Sequence, residues 1–175
     1  MKVKNTKARQ QLTDAAAVAG IGAIAGLAGT AAMTLSSTVE AKIRHRGASQ
    51  VPAEAAETVL GVEANDPSSK RRFNNVVHWV YGGAWGVARG GLDLLGLHGV
   101  RASAAHLGAV VGAEQIVLPA TKAAQPFWKW GPKTIALDLL HHLTYAAVTG
   151  AVFEALDPHR KHRRTRRHGV RAVLA

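Results

Sequence analysis

Four apolar stretches dominate the pattern of hydrophobic and polar positions along this chain. They cover about residues 15–39, 73–97, 102–121 and 134–153, and polar stretches that contain Pro or Gly separate them. The first stretch has no charged residue. Because about 20 apolar residues in an α-helix cross the hydrocarbon core of a bilayer, the pattern predicts an all-α fold, a four-helix transmembrane bundle. A soluble Ala-rich bundle is the alternative, since buried core helices have similar apolar runs.

The polar segment between the first two stretches predicts a short interfacial helix, which would lie on the membrane surface between spans 1 and 2. Pro52 stands near its start and Gly61 just past its end, where each residue type is favoured. Its apolar side chains share one side, so that Glu54 and Glu57 are expected on the side facing water.

Charge is concentrated at the two ends of the chain. The sequence has 22 Lys and Arg residues against 11 Asp and Glu, a formal net charge of +11. A basic N-terminal tail (residues 1–14) and a basic C-terminal tail (residues 157–175) flank a membrane domain at residues 15–156. Basic segments beside spans favour the cytoplasm, and four spans put both ends on one side. We therefore expect a multi-pass protein of the bacterial inner membrane with both termini cytoplasmic.

The distribution of basic residues supports this orientation only by a small margin. The cytoplasmic side receives 13 of them, if Arg89 and Arg101 are counted with the loop between the second and third spans, and the other side receives 9. Acidic residues contribute little to this rule, so they do not widen the margin.

The C-terminal tail carries the densest run of positive charge. Placed directly after a span, such a run is expected to bind anionic lipid headgroups. Nucleic-acid binding is the weaker interpretation, because no aromatic residue is interleaved and no nucleic-acid-binding module is recognisable. The expected headgroup-binding residues are Arg160, Lys161, Arg163, Arg164, Arg166 and Arg167.

Glycines recur one helical turn apart in the first three spans. In lipid, helices associate through close backbone contact at small residues, which makes such spacing typical of a helix-packing face. The sequence therefore predicts tight packing, and it leaves open a homo-oligomer that uses the same kind of contact. The spaced glycines are Gly22-xxx-Gly26, Gly82-xxx-Gly86-xxx-Gly90 and Gly108-xxx-Gly112.

The last span carries polar residues at helical spacing. Asp138 lies three residues before His141 and four before His142, and Tyr145 continues the same stripe. Ionisable groups at membrane depth are costly unless they are paired or hydrated, so they face the bundle interior and are candidate functional groups. We call the candidate set the polar seam; it comprises Asp138, His141, His142, Tyr145, His78, His106, Glu114 and Gln115.

Three functions could use the polar seam. The preferred one is structural: hydrogen bonds within the seam hold the helices together. The alternative is proton or ion conduction along Asp138, His141, His142 and Glu114. A metal or cofactor site comes third, because a di-metal bundle needs two carboxylate-x-x-His motifs and the chain has only one.

The sequence indicates no enzyme, no catalytic residue and no resident metal or cofactor. The absence of cysteine excludes disulfides, thiolate metal sites and cysteine nucleophiles. No HExxH motif or nucleophile elbow is present. The expected role is that of a small integral membrane protein with a structural, stress-related or interaction function.

The order of these features resembles the YagU-like family of uncharacterised bacterial inner-membrane proteins. The likeness begins with a small-residue first span, followed by a loop that contains Glu and Pro. It continues through a span with His78, a Gly-xxx-Gly span ending at Pro119, an aromatic loop with Trp128 and Pro132, and a last span with an acid and a histidine. The resemblance implies an inner-membrane location and transfers no catalytic residue.

Overall fold

The computed structural model describes the chain from Lys2 to Asp157, and within this part every regular element is a helix. The predicted all-α class is confirmed there. The five α-helices are α1 Lys2–Ile43, α2 Val51–Leu60, α3 Pro67–Leu94, α4 Gly99–Ala120 and α5 Pro132–Leu156, and a short 3-10 helix at Phe127–Lys129 precedes α5. The basic residues 160–167, which were expected to bind lipid headgroups, lie outside the described residues.

Local sequence explains where the shorter elements begin and end. Asp66 caps α3, because its carboxylate accepts hydrogen bonds from the backbone N–H groups of Ser68 (2.8 Å) and Ser69 (3.0 Å). Pro67 then occupies the first helical position, where its missing N–H is no loss. Gly61 ends α2 with a left-handed backbone (φ 64°), a conformation that glycine adopts without steric cost.

The long helices pack around α1. Helices α3 and α5 both run antiparallel to α1 and contact it along most of its apolar part, while α4 packs mainly against α5. Helix α2 packs against the first part of α3, where the backbone N–H of Ala53 donates to the side-chain oxygen of Asn74 (3.0 Å). This arrangement defines two ends of the bundle: the α2 end, and the opposite end with the α3–α4 loop.

Helix α2 is oriented partly as predicted. The Glu54 side chain is 42% exposed, as expected, whereas that of Glu57 is 14% exposed and lies 3.2 Å from Lys70 of α3. Val59 and Leu60 are exposed, and Ala55 of the same predicted side is buried. The position of α2 on a membrane surface stays a prediction.

Among the described residues, two helices are long and apolar enough to cross a membrane, Ala8–Ile43 and Pro132–Leu156. The sequence pattern predicted four. Helices α3 and α4 lack a sufficiently apolar segment because charged and polar residues interrupt them. Several of these residues, among them Arg89 and His106, point into the bundle and have no exposed surface.

Two features at the helix ends differ from the sequence pattern. The basic segment before residue 15 continues α1, which begins at Lys2. Helix α3 continues to Leu94, so Arg89 lies inside a helix and not in a loop. Removing Arg89 from the loop count lowers the basic residues assigned to the cytoplasmic side from 13 to 12.

Candidate functional site

The bundle is tightest where α1 crosses α3. A Cβ atom added to Gly86 would lie 2.5 Å from the Cα atom of Gly26, and one added to Gly22 would lie 2.5 Å from the carbonyl oxygen of Gly86. Non-bonded carbon atoms prefer about 3.5–4.0 Å, so no larger residue fits without moving a helix. The packing role predicted for the glycines of α1 and α3 is confirmed.

The middle of the bundle contains polar groups that bond to nearby backbone. The Tyr145 hydroxyl donates to the carbonyl oxygen of Gly82 (2.6 Å), which links α5 to α3. His106 Nε2–H donates to the carbonyl oxygen of Trp85 (2.9 Å), which links α4 to α3. The Thr30 hydroxyl donates to the carbonyl oxygen of Gly26 (2.8 Å) within α1. These bonds form the middle layer of the bundle, in which the other ring nitrogen of His106, Nδ1, is buried without a hydrogen-bond partner among the described residues.

An ion pair lies at the opposite end of the bundle from α2. The guanidinium of Arg89 is fully buried, with Nη2 3.0 Å from Glu154 Oε1 and its carbon 4.6 Å from the centre of the Phe153 ring. Glu154 Oε1 also accepts from the backbone N–H of Gly99 (2.9 Å), so it joins α3, α4 and α5. Beside this ion pair, His98 Nδ1 lies 2.7 Å from Asp93 Oδ1.

Sequence reasoning missed this ion pair because Arg89 was assigned to a loop. A signal was present, however. Arg89 comes seven residues after Gly82 and three after Gly86, which places it on the same face of α3 as the packing glycines. A residue on that stripe is expected to be buried, and a buried arginine needs an acidic partner.

The polar seam divides at the α2 end, because consecutive histidines on α5 point to different neighbours. His141 faces α1, where its Nδ1 is 2.9 Å from the Ser36 hydroxyl and its Nε2 is 3.9 Å from Glu40. His142 faces α4, where its Nε2 is 3.8 Å from Glu114 Oε2. The prediction that Asp138 lies near both rings is therefore only half confirmed: of the two rings, the one in short contact with Asp138 is that of His142.

Glu40 is a second group that sequence reasoning missed. It is buried at the end of α1 and pairs with Arg44 at 3.0 Å and with Arg46. The i,i+4 spacing of Glu40 and Arg44 was the available signal. The pairing with Arg46 depends on the turn that follows α1, which the spacing does not show.

Glu114, Asp138 and His142 form what we call the acid–histidine cluster. Each offers one donor atom, and the three atoms lie within 4.8 Å of one another. His142 Nδ1–H donates to the backbone carbonyl of Asp138 (3.0 Å) and lies 3.5 Å from its carboxylate. These are the described residues whose grouping could hold a metal ion.

The remaining seam residues surround this cluster. His78 Nε2 is 3.2 Å from the Thr34 hydroxyl, on the α1 side. Gln115 interacts with the Glu114 carboxylate. His106 lies deeper in the bundle, with its ring centre 5.6 Å from that of Tyr145. The sequence thus placed the polar residues on the correct helices. It predicted one continuous seam, whereas the structure divides these residues into the acid–histidine cluster, the contact of His141 with α1 and the middle layer.

Comparison of the chain with protein-family models, with curated proteins and with solved structures gave no match. The resemblance to the YagU-like family stays a prediction. Any function of the chain must therefore be inferred from the geometry of its own residues.

Proposed function

We propose that this chain is an integral membrane protein whose four long helices, α1, α3, α4 and α5, all span a bacterial inner membrane. The observation that carries the proposal is an inverted distribution of polarity. Among the described residues, four of the five largest fully buried side chains are polar, namely Arg89, His106, Thr30 and Thr149, and the fifth is Phe153. Soluble proteins rarely bury an arginine completely.

The outer surface supports the same proposal. Large apolar side chains on all four long helices face outward, for example Leu35 on α1 at 66%, Val80 on α3 at 66% and Ile116 on α4 at 71% exposure, with Leu143 on α5 also exposed. Only 33% and 28% of the residues in the most apolar stretches of α1 and α5 are buried. A core helix of a soluble protein would be mostly buried, and apolar surface this extensive needs a lipid or protein environment.

We further propose a structural or interaction role, without enzyme activity. What favours packing over proton or ion conduction is that the polar groups of the middle layer bond to neighbouring backbone. Tyr145 and His106 each bond to a carbonyl oxygen of α3. A conduction path would need free polar groups in an unbroken line through this layer; His106 Nδ1 is such a group, but the Tyr145 hydroxyl and His106 Nε2 are held by the backbone of α3.

The proposed orientation puts both termini and the α3–α4 loop in the cytoplasm, with the C-terminal tail on anionic lipid headgroups. Because the chain has no cysteine, single cysteines report on it directly. Ser49 and Leu95 are exposed sites on the two sides of the proposed membrane. Ser103 would be a poor probe, because its hydroxyl faces Gly150 of α5.

The test combines extraction with labelling. After an alkaline carbonate wash, the protein should stay with the membranes and need detergent for release. In intact cells, an impermeant thiol reagent should label Ser49→Cys, and it should label Leu95→Cys and Thr165→Cys only after permeabilisation. Release by carbonate would contradict the membrane proposal. Labelling of Leu95→Cys or Thr165→Cys in intact cells would contradict the orientation.

A further inference from the structure

We propose that the acid–histidine cluster of Glu114, Asp138 and His142 binds one divalent first-row transition-metal ion. The cluster lies near the α2 end of the bundle, between α4 and α5. This proposal departs from the sequence-based expectation of no metal, and it does not depend on how many helices cross the membrane.

The first argument is the orientation of His142. Its Nδ1–H donates to the carbonyl oxygen of Asp138 (3.0 Å), which leaves the lone pair on Nε2, the nitrogen that faces Glu114 at 3.8 Å. Metal-binding histidines are held in this way, with one ring nitrogen donating to a carbonyl or carboxylate and the other directed at the metal. His141 also has a bonded Nδ1 and an Nε2 that faces a carboxylate, but that carboxylate, Glu40, is already paired with two arginines.

The second argument is an atom without a hydrogen bond. Oε2 of Glu114 is enclosed in the bundle and has no hydrogen-bond partner among the described residues, although it lies beside the His142 ring. A buried carboxylate oxygen normally accepts at least one hydrogen bond. A cation between Glu114 and His142 would supply the missing interaction.

The third argument is charge. Glu114 and Asp138 are two carboxylates beside one imidazole. Their charge is balanced either by two protons, one on a carboxyl group and one on His142, or by a divalent cation beside a neutral His142, the form in which an imidazole binds metal. Because burial of an uncompensated charge is costly, a cation is one of the two ways to balance this cluster.

The donor set and its spacing define the class of ion. Two carboxylates and one imidazole suit Mn²⁺, Fe²⁺ or Zn²⁺ better than a thiolate-seeking ion. Ligands that bind at about 2.1 Å from a metal lie up to about 4.2 Å apart, and the three donor atoms here lie within 4.8 Å. Small side-chain rotations close this difference, and three protein ligands leave a coordination position for water.

The experiment uses the full-length protein, purified in detergent without a polyhistidine tag and titrated with Co²⁺. Equilibrium dialysis and visible absorption should report one ion per chain. Glu114→Gln and His142→Gln should each weaken binding at least about tenfold, and Asp138→Asn should weaken it as well. The matched control His141→Gln changes the neighbouring ring and should bind as the wild type does.

The basic tail needs its own control, because His159, His162 and His168 could bind Co²⁺. A full-length protein with these three residues changed to Gln should keep the site. Thermal unfolding shows whether each variant folds, and Co²⁺ should raise the Tm of the wild type but not that of the near-isosteric Glu114→Gln. The proposal is overturned by an absence of binding, by binding that Glu114→Gln and His142→Gln leave unchanged, or by binding that disappears with the tail histidines.

Discussion

Helices α3 and α4 carry the same Gly-xxx-Gly spacing, and the structure uses it in only one of them. Gly82 and Gly86 on α3 press against α1, so that a Cβ at either position would collide with it. A Cβ at Gly108 or Gly112 on α4 would meet no atom of the described residues within 4 Å. The predicted packing role is therefore wrong for the α4 pair within this chain.

The difference shows what the spacing leaves undetermined. Small residues permit close approach, but the larger side chains on the helix decide which face turns inward. On α4 the buried residues are Ala102, His106 and Val110, each one turn apart. Gly108 comes two residues after His106, about 200° around the helix, and therefore lies on the outer face. That face is free for another helix, and the homo-oligomer stays a prediction.

The largest expected difference between the two helices comes from adding one methyl group to each. Gly86→Ala should destabilise the protein by about 2 kcal/mol or more, because the new Cβ forces α1 and α3 apart. The matched variant Gly112→Ala should be neutral, or stabilising by up to about 1 kcal/mol because Ala is the better helix former. Thermal unfolding in detergent, followed by circular dichroism, measures both. Equal midpoints for the two variants would contradict the packing described here.

The all-α class was predictable because long apolar runs and their breaks at Pro and Gly are properties of the sequence alone. The neighbouring helix that each side chain of α5 faces was not predictable from the sequence. His141 and His142 are consecutive, so their directions differ by about 100°. Whether Asp138 meets one ring or both depends on where α1 and α4 lie, and helix propensity carries no such information.

A smaller effect tests the hydrogen bond that joins α5 to α3 in the middle layer. Tyr145→Phe removes the hydroxyl that donates to the carbonyl oxygen of Gly82 but keeps the buried ring. We expect a loss of about 1 kcal/mol in the free energy of unfolding, the net contribution of one hydrogen bond. Tyr81→Phe is the control, because Tyr81 comes directly before Gly82 on α3 and is half exposed.

The two tyrosine variants test whether this hydrogen bond stabilises the bundle. If Tyr145→Phe and Tyr81→Phe unfold at the same temperature, the hydroxyl of Tyr145 contributes nothing to the free energy of unfolding.

The smallest expected effect concerns the first residues of α3 and α4. Asp66 caps α3 with its side chain, whereas His98 at the start of α4 makes no such bond. The hydroxyl groups of Ser68 and Ser69, followed by their backbone N–H groups, stabilise the ionised carboxylate and hold the pKa of Asp66 well below its usual range. The group therefore contributes stability above its unfolded pKa and loses it as the pH falls towards the folded value.

Asp66→Ala should therefore lower the Tm slightly at pH 7, and the difference from the wild type should narrow as the pH falls below about 4, the ordinary pKa of aspartate. Comparing the two proteins at each pH removes the contribution of the other carboxylates. Glu63→Ala is the control, because it removes an exposed acid from the same loop without removing a cap. A Tm difference between Asp66→Ala and wild type that stays constant from pH 7 to pH 3 would show that the ionised carboxylate does not stabilise the start of α3.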